Sequence, residues 1–227
     1  KAIRGSQAYD GRIRTAQESG LSSEETFFEL AIDDLQHAAD AFRAVHDRSS
    51  GVDGFVSLEV SPRLGHDAQG TIASAKRLHA LAARPNLMIK VPATPAGIPA
   101  IERLIASAIN VNATLMFSID DYEAVAGAYL RGLNAASAVA RIASVASFFV
   151  SRVDAKTDAA LEKVGSQAAI ALQGKIAIAN AKLTYRRYRE LFEGTTFAAL
   201  AARGARPQRV LWASTSTKNP AYPDTLY

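Results

Sequence analysis

The stretch NLMIKVPATPAG, residues 86–97, sets a lysine inside an apolar, strand-like run and follows it at once with a Pro/Thr/Gly turn. Lysine is among the residues least often fully buried. Lys90 therefore needs a solvated end, a carboxylate partner or a chemical task. What the neighbouring strands place beside it decides between these, and with them the fold.

Four more runs share the β-branched and apolar content of LMIKVPA (87–93): DGFVSLEV (53–60), VNATLMFS (111–118), ASVASFFVSRV (143–153) and RVLWAST (209–215). Helical patterns fill the intervals. Phe28, Ile32, Leu35, Ala39 and Phe42 step by four, three, four and three, which predicts one apolar stripe on a helix starting near Ser22 or Ser23. Ile98, Ile101, Ile105 and Ala108 repeat the spacing after the lysine strand. Ser118 and Asp121 form a capping-box pattern ahead of DDYEAVAGAYLRGL. Residues 168–193 read as a longer helical region that Gly174 breaks or kinks. Strands alternating with helices predict βαβ units, a parallel sheet and a single domain over residues 1–227.

Side-chain alternation carries more information. Val56, Leu58 and Val60 are expected on one face, with Ser57 and Glu59 on the other. Leu87, Ile89 and Val91 oppose Met88 and Lys90; Ala113, Leu115 and Phe117 oppose Asn112, Thr114 and Met116; Ser147 opposes Ala146 and Phe148. Each strand then has an apolar, helix-facing side and an opposite side with one or two polar groups. An open sheet covered by helices on both faces would need apolar residues on both sides. A closed barrel accepts polar groups inside, near the C-terminal ends of its strands. The pattern predicts a (β/α)8 TIM-type barrel with about five of eight strands visible, and Glu59, Lys90, Asn112, Thr114 and Ser147 meeting in one pocket. No G-x-G-x-x-G follows any strand.

Composition fits this reading. The 227 residues, 48% hydrophobic and 21% charged, suffice for one sizeable core. Apolar runs are far shorter than the roughly 20 residues of a membrane span. KAIRGSQAYDGRIR has no apolar segment with a cleavage site. The lack of cysteine fits a reducing compartment and excludes a thiol nucleophile. A net charge of +4 with scattered basic residues and no aromatic stacking pattern predicts a solvated surface rather than nucleic-acid binding. His37, His46, His66 and His79 lack metal-ligand spacing, so no metal site is expected.

An apolar surround disfavours an ammonium and leaves more neutral amine to attack a carbonyl. The resulting iminium is an electron sink beside which a C–C bond breaks and re-forms, with Glu59 moving protons and Thr114 holding a water. The plainer account of Lys90 is an ion pair with Glu59 that closes the barrel, and on burial alone it is the weightier. Asn112, Thr114 and Ser147 taken singly are ordinary strand and turn residues. Arg152 and Lys218 suit either a phosphate or the surface.

Taken together, SLEV with Glu59, IKVPATPAG with Lys90, NVNATLMFS with Asn112 and Thr114, SFFVSRVD with Ser147 and Arg152, and LWASTSTKNPAYPDTLY resemble the transaldolase family, its longer bacterial type in particular. Five ordered motifs along nearly the whole chain are far more specific than any one. The resemblance implies a cofactor-independent Schiff-base barrel of the pentose phosphate pathway. It would move a dihydroxyacetone unit between sedoheptulose 7-phosphate or fructose 6-phosphate and glyceraldehyde 3-phosphate or erythrose 4-phosphate in the cytoplasm. It implies Lys90 as the Schiff-base lysine, Glu59 and Thr114 as handlers of the catalytic water, and Asn112 and Ser147 as ligands of the dihydroxyacetone hydroxyls. Phe149 would line the pocket, Arg152 would bind phosphate, and Ser214, Ser216 or Lys218 would supply a further phosphate contact. Homo-oligomerisation and fusion to a phosphoglucose isomerase stay open, as do a fructose 6-phosphate aldolase and a catalytically silent sugar-phosphate-binding barrel. The family's aspartate-bearing first strand, its T-S-N-P strand and its last strand have no counterpart here. The expectation is a piece of a barrel, truncated at both ends, with little turnover alone.

Overall fold

The computed structural model describes residues 3–227. Five strands, β1 (Val56–Glu59), β2 (Leu87–Pro92), β3 (Val111–Met116), β4 (Ser144–Phe149) and β5 (Arg209–Ala213), form one sheet in sequence order. Helices α1 (Asp10–Glu18) and α2 (Ser23–Arg48) precede β1; α3 (Ala68–Ala82), α4 (Gly97–Ala106) and α5 (Ile119–Ala135) fill the next three intervals. Between β4 and β5 lie α6 (Ser151–Val164), α7 (Gln167–Ile170), α8 (Ile176–Phe192) and α9 (Thr195–Ala202). Parallel pairing from β2 to β5, with helical crossovers, is the α/β order of five successive strands of a (β/α)8-type barrel.

The chain divides into two compact units. One comprises the described residues up to Leu58 together with Lys76–Met88. In it, Ser22 and Glu25 cap α2 reciprocally: Glu25 N–H donates to the Ser22 hydroxyl at 3.3 Å and Ser22 N–H to the Glu25 carboxylate at 2.9 Å. Of the expected apolar stripe, Phe28 and Ala39 are buried and Ile32 and Leu35 half-buried, whereas Phe42 is exposed. The Arg84 guanidinium grips both Asp40 oxygens, at 2.6 and 2.9 Å, and the buried Asn86 amide donates to the Ala39 and Gly54 carbonyls at 2.8 and 2.9 Å. These bonds hold the turn before β2 against the helix. The α1 segment has no counterpart in the sequence reading.

The other unit is Glu59–Ala75 with Ile89–Tyr227. Its strand starts are locked by buried polar groups: Gln208 Nε2 donates to Ser144 Oγ at 2.9 Å, Ser144 Oγ to the Val111 carbonyl at 2.6 Å, and Ala143 N–H to Asn110 Oδ1 at 2.9 Å. Register follows, with Lys90 opposite Asn112, Ala113 opposite Ala146, and Ser147 opposite Leu211. The capping box of Ser118 and Asp121 opens α5 as its spacing predicts. The region 168–193 resolves into α7 and α8, separated at Gly174, whose φ of +69° a helix cannot continue through.

Helices α4 and α5 bury Ile101, Leu104 and Ile105 with Tyr122, Val125, Tyr129 and Leu133; full burial of each aliphatic chain stabilises by about 1.5–3 kcal/mol. Gly132 permits their approach. A methyl there would stand 2.7 Å from both the Glu102 carbonyl oxygen and Ile105 Cβ. Gly132→Ala is expected to destabilise the fold by about 1–3 kcal/mol through overpacking, read as a lowered urea midpoint at unchanged slope. An unchanged midpoint would show that the two helices part at no cost.

Two expectations are corrected. Strand β4 ends at Phe149 rather than reaching residue 153, so Arg152 sits in the first turn of α6. In β3 the alternation breaks: Ala113 aligns with Ala146 but Met116 with Phe148, which leaves one extra residue between them. Leu115, with φ of +63°, takes up that residue as a bulge. Met116 is thereby turned into the helix-facing core, fully buried, while Leu115 and Phe117 are 40% and 38% exposed. The parity expected for Leu115, Met116 and Phe117 is reversed because a bulge shifts the period of two by one.

Candidate active site

Glu59 ends β1, Lys90 and Ser147 stand in the middle of β2 and β4, and Asn112 and Thr114 are the second and fourth residues of β3. Val60 N–H donates to the Lys90 carbonyl at 3.1 Å, which brings the end of β1 beside the middle of β2. Lys90 Nζ lies 3.5 Å from Glu59 Oε2, with the two side chains 29% and 46% exposed. Of the three answers open for Lys90, the structure supplies two, a solvated end and a carboxylate partner. One strand further, Ser147 Oγ donates to Asn112 Oδ1 at 2.7 Å in a buried bond, which fixes the Asn112 amide plane.

Thr114 follows Asn112 on the same face, beside Pro92 in the register. Its Oγ1 is buried and makes no hydrogen bond to protein. A buried hydroxyl left so costs about 1–3 kcal/mol unless something else binds it. The residue is therefore suited to hold a water or a substrate oxygen.

Phe149, at the end of β4, faces this site with its ring 5.1 Å from that of Phe117. The Arg152 guanidinium lies over the same Phe149 ring, 4.9 Å from its centroid. Ser214 joins through the turn after β5: Ser151 N–H donates to its carbonyl at 2.9 Å, and the Ser151 and Ser214 hydroxyls are 3.1 Å apart. Ser216 and Lys218 differ. Lys218 Nζ donates to Ser216 Oγ at 2.7 Å on the exposed surface, and they are described in contact with each other rather than with the lysine site. Of the expected residues, Lys90 meets Glu59, Asn112 meets Ser147 with Thr114 two residues on, Arg152 meets Phe149, Ser214 meets Ser151, and Ser216 and Lys218 form a pair of their own. Phe117 and Ser151 were missed. The first was hidden by the bulge; the second carries no sequence signal beyond being a serine that opens a helix.

Among the described residues no group of three or more histidines or carboxylates could hold a metal, and no helix is long and apolar enough to cross a membrane.

Parallel strands in sequence order, joined by helical crossovers, define a (β/α)-barrel-type protein. The sequence pattern described as Transaldolase/Fructose-6-phosphate aldolase matches residues 1–227, and the chain belongs to that family. It is similar to proteins named "Transaldolase" from Frankia alni, at 50% identity over all of this chain and 62% of that protein, and from Thermobifida fusca, at 50% over all of this chain and 63% of that one. A third, from Mycolicibacterium smegmatis, is 50% identical over 97% of this chain and 60% of its own length. The chain thus spans about three fifths of the length of these curated relatives.

Proposed function

We propose that this chain carries the Schiff-base site of a cytoplasmic transaldolase within a single barrel domain. It would transfer a dihydroxyacetone unit from sedoheptulose 7-phosphate or fructose 6-phosphate to an aldose phosphate. The Lys90 amine attacks the ketone carbonyl of the donor, and loss of water leaves an iminium. A carboxylate, Glu59 directly or through water, takes the proton of the C4 hydroxyl as the C3–C4 bond breaks. The electron pair of that bond moves to the iminium nitrogen, an aldose phosphate departs and a three-carbon enamine stays on Lys90. The enamine carbon then attacks the acceptor aldehyde, and water restores the amine. Glu59 and Thr114 handle the water lost and regained; Asn112 and Ser147 bind the dihydroxyacetone hydroxyls against Phe149. Arg152 holds the phosphate, with Ser214 beside it. Ser216 and Lys218 would contribute only by a movement of their turn.

The observation that carries the proposal is the 3.5 Å pair of Lys90 with Glu59, set beside a buried Thr114 hydroxyl with no protein partner. A structural ion pair has no need of that hydroxyl. Borohydride reduction in the presence of fructose 6-phosphate, followed by peptide mass spectrometry, tests it. A reduced adduct is expected on the peptide bearing Lys90. An adduct on another lysine, or none on folded protein, would sink the proposal. Since the family description covers both reactions, rates with and without an aldose acceptor separate transfer from aldol cleavage.

A further inference from the structure

We infer that Phe117, set on the site's face by the Leu115 bulge, is a positioning residue that holds Arg152 ready for the substrate's phosphate; the inference rests on the Schiff-base reading above. Four observations meet here. Leu115 keeps φ of +63° within a strand, a conformation unfavourable for a bulky residue that persists only where the surroundings over-determine it. The surroundings do so: Asp121 Oδ2 accepts from Phe117 N–H at 3.2 Å and from Ser118 N–H at 3.1 Å, and Asn180 Nδ2 of α8 donates to the Phe117 carbonyl at 2.8 Å. Both main-chain polar groups of Phe117 are thus held by side chains of two different helices. With its backbone pinned, the Phe117 ring meets Phe149 at 5.1 Å with an interplanar angle of 36°. On Phe149 rests the Arg152 guanidinium, 4.9 Å from the ring centroid.

The result is a run of contacts from one ring to a second, tilted ring and on to a cation. An arginine with three or four freely rotating bonds loses side-chain entropy on binding an anion. One resting over an aromatic ring has already lost part of that freedom, and its N–H groups not turned to the ring can meet phosphate oxygens. Phe117 is 38% exposed and its ring stands 5.1 Å from that of Phe149, so it limits how the Phe149 ring can tilt. Had β3 run without a bulge, Met116 would stand on this face and the ring on the other. The bulge therefore decides whether the aromatic platform exists.

The test compares two donors in borohydride trapping on the peptide bearing Lys90, titrating fructose 6-phosphate and, separately, dihydroxyacetone, which has no phosphate. It uses the wild type, Phe117→Ala, Phe117→Tyr and Asn180→Ala, each checked for an unchanged melting transition. Phe117→Ala is expected to raise the half-saturating fructose 6-phosphate about 3- to 5-fold, a part of the worth of the cation–π contact on Phe149 that it leaves less well held, and to leave that for dihydroxyacetone within about 1.5-fold. Phe117→Tyr restores the wild-type value, and Asn180→Ala shifts the phosphorylated donor in the same direction by less. Equal shifts for both donors, or no shift for either, overturn the inference while Lys90 still traps. A wild type that traps neither donor overturns the Schiff-base reading, and this inference with it.

Discussion

Lys90→Arg is expected to lose all borohydride-trapped adduct and at least about 10³-fold in kcat, some 4 kcal/mol of transition-state stabilisation, while the protein remains folded. Arginine is the informative replacement because it keeps the positive charge and can still reach Glu59, yet its guanidinium does not deprotonate and cannot attack a carbonyl. If Lys90 served only to pair with Glu59, arginine would serve as well. The pair is partly solvated on both sides, 29% and 46% exposed, so it contributes only about 0–1 kcal/mol to stability. A melting temperature close to that of the wild type is the matching expectation. Retention of more than a tenth of wild-type turnover by Lys90→Arg would refute the nucleophilic role and leave the ion pair as the reason for the lysine.

The second large effect concerns α6. Asp154 accepts from the Ala177 N–H at 2.7 Å and from the Tyr227 hydroxyl at 2.7 Å; Asp158 accepts from the Gly174 N–H at 3.1 Å and from the Tyr222 hydroxyl at 2.7 Å. Two buried carboxylates one helical turn apart thus hold the start of α8 and the segment after β5. Asp154→Ala leaves an N–H and a phenol without their acceptor and is expected to destabilise by about 2–5 kcal/mol, read from chemical denaturation. A loss under 1 kcal/mol would mean that water replaces the carboxylate freely.

The same contacts set a pH dependence. Burial, and then the bond to Asp158, push the Tyr222 phenol from 10.0 up to about 12. Tyr227 is raised too, by burial and then by its bond to Asp154. A phenol whose folded pKa lies above its unfolded value holds its proton more tightly when folded. The stability it contributes is complete below pH 10 and is lost as pH rises from there through about 12. Melting temperature is expected to fall across that window. Tyr222→Phe should start lower at neutral pH and fall less; an equal fall in the variant would assign the alkaline loss to other groups.

Much of the fold was legible because it rests on short-range chemistry. The five strand runs, the α2 and α5 caps and the break at Gly174 all follow from apolar period, side-chain acceptors and a residue that tolerates positive φ. Lys90 stood out for the same local reason, a charge within an apolar strand. Alternation then placed Glu59, Asn112, Thr114 and Ser147 on its face; the register sets Lys90 opposite Asn112 and Pro92 opposite Thr114, Ser147 bonds Asn112, and Glu59 lies 3.5 Å from Lys90. Alternation failed where a long-range cause intervened: the Leu115 bulge is stabilised by Asp121 and by Asn180, 63 residues from Phe117 in the chain, so nothing in VNATLMFS announces it.

The order of the parallel strands, the lysine among them and the family its motifs resemble can all be read along the chain. Packing of distant segments was needed to set Lys90 beside Glu59 with its end solvated, to bury Thr114 Oγ1 without a protein partner, to bury Met116 while leaving Phe117 exposed, and to pair Lys218 with Ser216. Periodicity and propensity act between residues a few positions apart and can be read along the chain. Distances between side chains on different strands depend on register, bulges and helix contacts, which are set only when segments far apart in sequence pack together.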